Sequence, residues 1–436
     1  MRKFKDFLSG KTSSGAVIQT FIVKVFILVI NLGTGIISAR ALGASGRGEL
    51  AAMGLWPQFL VFILAMGIPR SLQYNLKKFP EEESEFFTIS TLLSLGIGIL
   101  SILLGIVFIP KWLAEYSEQV IFSARIIMLI APVPLLAVVF KSIFESRGEF
   151  TISNRMYYFH PLMTFTLIFT FVFLNLKSPF IFALAYALPQ TPLVIWMFIK
   201  LRKHYGLVFK NPLSVSQRLL SFGFRSHGLG LVGYLSTQIG QVLAVGLLAS
   251  SGMGMYTVAL NLTRPLNTIE QSIITVLFPK TASQALPTVI SLVGRASRVS
   301  IFLTTICVIP LGILAPFLLP ILYGNEFIEA STTFRILLLQ VLLEGATWML
   351  SQSFMASGRP GVITALQISG LFVTVPLMIW LVPLFGMNGV AFSLLLSTIL
   401  RFVIVLSCYP LILKIKPPKL LISINEIRDI KKSFCF

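Results

Sequence analysis

The chain has 436 residues, 56% of them hydrophobic and only 12% charged, with a formal net charge of +19. A soluble domain carries about 25% charged residues, so the composition describes an integral membrane protein. The positive balance does not indicate nucleic-acid binding, because no basic, aromatic-bearing soluble segment exists to carry it; short basic loops that orient a membrane chain account for it instead.

Twelve stretches are long and apolar enough to cross a bilayer, which takes roughly 20 residues: 14–39, 50–75, 86–109, 119–143, 154–176, 179–200, 221–249, 253–279, 298–323, 331–356, 361–384 and 387–413. The first follows Arg2, Lys3 and Lys5 and ends near Ala39-Arg40-Ala41, the outline of a cleavable leader. Its apolar run is too long for one and is interrupted by Lys24 and Asn31, so it reads as a spanning helix. Thr20, Lys24, Asn31, Thr34 and Ser38 share one face of it, because steps of three and four stay on one side of a 3.6-residue turn. The second helix carries Gln58. The acidic run Glu81–Glu83 that follows reads as solvated loop.

The seventh stretch contains "QIGQ", with Gln241 as its last residue. In the eighth, "YTVALNLTRPLNTIEQSIITVLFP", Thr257, Asn261, Arg264, Thr268, Gln271 and Thr275 line one face, and Glu270 lies beside them. Pro265 frees a backbone carbonyl one turn earlier and is expected to bend this helix. The tenth has Gln340, Glu344, Thr347 and Ser351 on a face, and the last has Ser397 and Arg401. The serines and threonines read as glue between helices. Cations are another matter: one at the middle of a membrane helix costs at least ~2.5–3.5 kcal/mol on insertion scales and must meet a partner or a wet cavity. Lys24, Arg264 and Arg401 outnumber the two mid-helix acids, Glu270 and Glu344. Structural ion pairs and an anion-accepting cavity are both open readings, and Arg suits a phosphate through its planar fork of donors. Glu344 is expected to face inward, as a proton carrier or as a counter-charge to a cation such as Arg401.

An internal repeat organises these elements. "ALGASGRGEL" (Ala41–Leu50) lines up with "LLASSGMGMY" (Leu247–Tyr256) 206 residues later, and "FESRGEF" (Phe144–Phe150) with "MASGRPG" (Met355–Gly361) about 211 later. The expected fold is therefore all-α, about twelve transmembrane helices in two parallel six-helix lobes, residues 1–205 and 206–436. Six helices per copy make both copies enter from the same side, as parallel repeats related by an axis along the membrane normal. By the first offset Gln58 is the equivalent of Arg264. If the N-terminus is cytoplasmic, the far side keeps only Arg40, Arg47, Lys111, Lys177 and Arg335 among the basic residues, so both termini are expected in the cytoplasm. The three cysteines, Cys307, Cys408 and Cys435, have neither metal nor disulfide spacing, and no cofactor or metal is expected. The membrane segments lack aspartate, long catalytic loops are missing, and no enzymatic site is visible.

Five short segments carry a family resemblance: "ARALGASGRGEL" after the first helix, "SGMGMYTVA" opening the eighth, "LYGNEF" after the ninth, "ASGRP" after the tenth and "FGMNGVAFS" between the last two. In that order the sequence resembles the polysaccharide biosynthesis protein family, lipid-linked oligosaccharide flippases of the multidrug/oligosaccharidyl-lipid/polysaccharide exporter superfamily. The resemblance implies a two-lobed bundle around a central cavity that opens alternately to each side, in the plasma (bacterial inner) membrane. It implies an isoprenoid-pyrophosphate-linked oligosaccharide as cargo, with the lipid bilayer and a polysaccharide polymerase or other assembly proteins as partners. The family's cationic cavity positions fall on Lys24 and Arg264, and Asn31, Gln58, Asn261, Gln241 and Arg401 join them as expected substrate contacts. Members often carry an aspartate in the seventh helix where this chain has Gly240, which leaves ion coupling at that position in doubt. A cation-coupled multidrug exporter of the same superfamily is the competing reading, although such exporters favour an acid where this chain has Lys24.

Overall fold

A backbone in hydrocarbon must satisfy its own polar groups, and a helix does so within a single segment. The computed structural model describes residues 13–281 and 284–420, and within them all side chains except those of residues 13–24, 151, 229, 276 and 278–281. Every regular element among these residues is helical. In chain order they are α1 (Ser13–Leu64), α2 (Ile68–Lys78), α3 (Glu83–Trp112), α4 (Glu118–Met128), α5 (Pro132–Ser146), α6 (Phe150–Phe173), α7 (Pro179–Ala187) and α8 (Gln190–Tyr205). The chain continues with α9 (Pro212–Leu247), α10 (Ser250–Thr281), α11 (Leu286–Tyr323), α12 (Ala330–Ala356), α13 (Gly361–Phe385) and α14 (Met387–Cys408).

Ten stretches of the described residues are long and apolar enough to cross a membrane. One of them, Val25–Leu64, is 40 residues long, about 60 Å of helix at 1.5 Å per residue and twice a bilayer core. It is two helices joined at Gly43, whose φ of 69° lies outside the helical region. The polar face of α10 keeps that helix out of the ten, although it runs unbroken through Pro265. Counting both gives the expected twelve crossings. The chain is a multi-pass, all-α membrane protein.

Its helices form two compact units, Met1–Leu231 with Ala249–Gly254, and Val232–Leu248 with Met255–Phe436. In the first, α1 packs along α6, α4 and α7, and α5 packs against α3, α2 and α8. In the second, α12 lies between α11 and α14, and α13 packs on α14. There Leu350, Phe354, Val405 and Tyr409 form a buried core, with the Tyr409 hydroxyl donating to the Leu350 carbonyl at 2.9 Å.

The start of α9 belongs to the first unit for a reason the sequence reading misses. Glu82 is not merely solvated surface: it pairs with Arg218 at 2.7 Å. The Arg218 guanidinium also stands 4.8 Å from the Phe79 ring and 5.6 Å from the Phe86 ring, where a cation over an aromatic face is attracted by the ring quadrupole. Buried Glu85 accepts from the Asn211 amide.

The repeats share local structure. Arg147, Gly148 and Glu149 donate their amides to the carbonyls of Ile143, Glu145 and Phe144; Ser357, Gly358 and Arg359 donate theirs to Ser353, Met355 and Phe354. Each helix end closes on a glycine of positive φ, 77° at Gly148 and 71° at Gly358, as such C-terminal caps require. The register is thus 210 residues rather than the 211 at which Ser146 meets Ser357, because the glycines that end the two helices, Gly148 and Gly358, must coincide.

The two copies of the other repeated segment touch. The Ser45 and Ser250 hydroxyls are 2.7 Å apart. A Cβ at Gly48 would strike the Ser250 carbonyl, and one at Gly254 would strike the Ala44 carbonyl. Ala44 and Ser250 are 206 residues apart, as are Gly48 and Gly254, so the contact is reciprocal, as a two-fold relation between like surfaces demands. In a background without the native cysteines, Ser45→Cys with Ser250→Cys is expected to form a disulfide under mild oxidant, read as a reducible gel-mobility shift; failure to cross-link would show that these segments separate in the membrane.

Candidate functional site

Two polar groups emerge inside the membrane helices of the second unit. The first is built on α9 and α10. Arg264, in the interior of α10, is exposed, and Asn261, nearly one turn earlier, is half-buried. Arg264 Nη2 donates to Gln241 Oε1 of α9 at 3.3 Å. The structure therefore brings Arg264 and Gln241 together, with Asn261 on the same stripe. In the first unit, Asn31 and Gln58 of α1 are both exposed. The side chain of Lys24 lies outside the described residues.

The second group joins α10, α12 and α14. Arg401 Nη2 donates to Thr398 Oγ1 at 2.9 Å and stands 3.9 Å from Glu344 Oε1. Gln340 Nε2 donates to the other Glu344 oxygen at 2.7 Å. Glu344 is thus oriented by an amide one turn away and a guanidinium from a neighbouring helix. The Arg401 stem crosses Gly370 of α13 so closely that a Cβ there would come within 2.7 Å of its Cδ. Glu270 is 7% exposed and lies against Gly345, beside Glu344. Of the acids and cations singled out from sequence, these three meet in one cluster. Thr398, Gly345 and Gly370 complete it and were missed. Thr398, one turn from Arg401 on the same face, is the only one with a sequence signal; the glycines matter solely because helices cross on them.

The hydroxyls act differently from expectation. Thr34, Ser38, Thr275, Thr347 and Ser351 donate to carbonyls of their own helices, Ile30, Gly35, Gln271, Leu343 and Trp348. Ser397, which donates to the Gly370 carbonyl at 3.0 Å, does cross between helices. A hydroxyl three or four residues after a free lone pair finds it without help from a neighbour, so spacing on a stripe does not make a residue glue. Gly240 has a packing role: a Cβ there would meet Leu394 Cδ2 of α14 at 2.9 Å, which leaves no room for an aspartate without repacking. No group of three or more metal-ligating side chains occurs among the described residues. Cys307 and Cys408 are free thiols, and Cys435 lies outside the described residues.

Residues 37–332 match the family model described as polysaccharide biosynthesis protein. No curated protein matches the chain. Among solved structures, the chain is similar to the lipid II flippase MurJ in an inward closed conformation, at 17% identity and a TM-score of 0.77 over 95% of this chain and 90% of that one. It is similar to an inward-facing multidrug resistance MATE family transporter of the MOP superfamily, at 15% identity and a TM-score of 0.70 over 88% of this chain and 96% of that one. A MOP superfamily transporter from Pyrococcus furiosus, at 13% identity and a TM-score of 0.59, covers 90% of this chain with 94% of its own. The fold is that of MurJ- and MATE-like transporters.

Proposed function

The chain belongs to the polysaccharide biosynthesis protein family, and from that membership we propose that it flips an isoprenoid-pyrophosphate-linked oligosaccharide across the plasma membrane by alternating access. In this reading it is a transporter rather than an enzyme and serves assembly of a surface polysaccharide such as O-antigen or capsule. Its two six-helix lobes are residues 1–205 and 206–436, both termini are cytoplasmic, and a polymerase or other assembly protein takes over the cargo. The observation that carries the proposal is the exposed guanidinium of Arg264 in the interior of α10, hydrogen-bonded to the neutral Gln241. Its likeness to a lipid II flippase supports the same class of cargo.

The physical reason is charge. An isolated ion costs tens of kcal/mol in a medium of low dielectric, so a diphosphate crosses only through a wet, positive cavity. Arg264 offers a planar fork of donors that matches a phosphate edge, and Lys24 adds a point charge. Asn31, Gln58, Asn261 and Gln241 supply neutral hydrogen bonds, which orient the head group without holding it too tightly for release. The isoprenoid tail stays in lipid throughout.

In a host lacking its own lipid-linked oligosaccharide flippase, expression of this chain is expected to restore surface polysaccharide, read by antibody or phage binding. Gain of resistance to cationic drugs with no surface polysaccharide would instead identify a multidrug exporter.

A further inference from the structure

A groove opens on the second unit between the start of α13 and the end of α14. Gly361, Ala365 and Ser369 form one wall, spaced by four so that they share a face of α13, and Ile404, Cys408 and Ile412 form the other at the same spacing. Small residues set the α13 wall back: a Cβ at Gly361 would meet no heavy atom within 4 Å. Leu366 lines the floor and is buried in the core with Val405 and Tyr409. The groove encloses about 380 Å³, within the roughly 300–1,000 Å³ of small-ligand sites. The Ser369 hydroxyl donates to the Leu366 carbonyl at 2.9 Å, so the walls offer water almost no partner. Both walls belong to stretches long and apolar enough to cross a membrane, and the groove there meets hydrocarbon chains.

Cations gather at one end of it. Arg359, two residues before Gly361, is exposed and donates through Nη1 to the Ile412 carbonyl of the opposite wall. A π-helical turn, Tyr409–Leu413, follows α14, and Lys414 comes next in the left-handed region at φ 56°. Lys414 and Lys416 are exposed. Beyond them the Lys419 carbonyl accepts from Arg298 Nη1 of α11 at 3.0 Å, and Pro418 lies against Gly294. The segment that carries these lysines is therefore folded back on the unit. No acid occurs between Glu344 and Glu426, so neither wall nor this segment brings a carboxylate to offset the positive charge.

We propose that the groove is a binding site for an anionic phospholipid of the surrounding bilayer: one acyl chain lies between α13 and α14, and the phosphate accepts from Arg359, Lys414 and Lys416 at the mouth. An apolar slot that ends in a basic mouth selects this chemistry. A zwitterionic lipid brings its own cation to the same place, and a free phosphate gains nothing from the walls. Basic pockets between membrane helices recognise anionic head groups on these grounds, each basic residue near an anionic lipid contributing roughly fivefold in affinity.

Photo-labelling of the full chain in phosphatidylcholine nanodiscs tests the site. Phosphatidylglycerol and phosphatidylcholine bearing the same diazirine on one acyl chain are added as tracers at equal mole fraction, and the label is mapped by peptide mass spectrometry. Label on residues 361–369 and 404–412 is expected to be at least about tenfold heavier from phosphatidylglycerol. Arg359→Gln with Lys414→Gln and Lys416→Gln is expected to bring the two lipids level. Gly361→Phe, whose ring enters the groove, is expected to remove label from both. Lys77→Gln with Lys78→Gln, in α2 of the first unit, is the control and is expected to keep the preference. Equal labelling by the two lipids in the unaltered protein would overturn the proposal, as would a preference that survives the triple variant. The first comparison needs no substitution and stays decisive if a variant does not fold. Inorganic phosphate is expected not to compete; loss of the preference in its presence would show that a free phosphate occupies the mouth, and would also overturn the proposal. No cargo is present, so every outcome leaves the Arg264 reading standing.

Discussion

Replacing Arg264 by alanine is expected to abolish surface-polysaccharide export while the protein still reaches the membrane in normal amount. The side chain is exposed, so its removal opens no core cavity. On the proposed function, what is lost is attraction for the cargo's phosphate. A hydrogen bond to a charged group contributes about 1.5–3 kcal/mol, and a forked pair with its charge is worth more, so a fall of at least roughly 100-fold is expected, since 1.4 kcal/mol is tenfold in an equilibrium. Arg264→Lys keeps the charge and loses the fork, and is expected to be partly active. Gln241→Ala and Gln58→Ala remove neutral donors, each worth about 1 kcal/mol, and are expected to slow export by several-fold only. Export is measured as polysaccharide per cell at matched protein level. Full export with Lys24→Ala and Arg264→Ala together would sink the mechanism.

Substitution at the reciprocal glycine contact is expected to give the largest loss of stability. A methyl group at Gly48 or Gly254 meets a backbone carbonyl rather than a flexible side chain, so whole segments must move. Overpacking typically costs 1–3 kcal/mol and occasionally more, and a clash with rigid backbone belongs at the upper end, about 3 kcal/mol for each single change. The two sites share one interface, so separating the segments to admit one methyl group makes room for the other. The double variant Gly48→Ala with Gly254→Ala is therefore expected to cost little more than the worse single one, a departure from additivity that contacting residues show. Thermal unfolding in detergent measures it. Gly54→Ala, with no heavy atom within 4 Å of its added Cβ, is the control and is expected to be neutral or slightly stabilising, because alanine is the better helix former. Full additivity would show two independent packing sites in place of one reciprocal contact.

Much of this protein is legible in its sequence because the bilayer imposes simple rules. Twenty apolar residues form a helix there whatever surrounds them, so the crossings, the helical class and the repeat follow from runs, spacing and self-similarity. The eighth crossing is the instructive case: its length and apolar residues mark it as a crossing in the sequence, yet α10 is absent from the ten stretches apolar enough by hydropathy, because Thr257, Asn261, Arg264 and Thr268 recur at a spacing that a helix turns into one polar face. Even the chance of a Glu344–Arg401 partnership is readable, since so few charges lie inside the membrane that the candidate partners can be counted.

What the sequence leaves open depends on which helices cross and how closely. Gly345, Gly370, Gly48 and Gly254 are ordinary glycines in the chain; only packing shows that Glu270, the Arg401 stem and two carbonyls occupy the space a side chain would need. Periodicity places a serine or threonine on a face but does not say whether its hydroxyl reaches a neighbour or its own helix, and most of the stripe hydroxyls choose their own. The placement of Glu270 against Gly345, next to Glu344, and of Arg401 3.9 Å from Glu344 was likewise decided by tertiary structure, because α10, α12 and α14 are separated by scores of residues and brought together by helix packing alone.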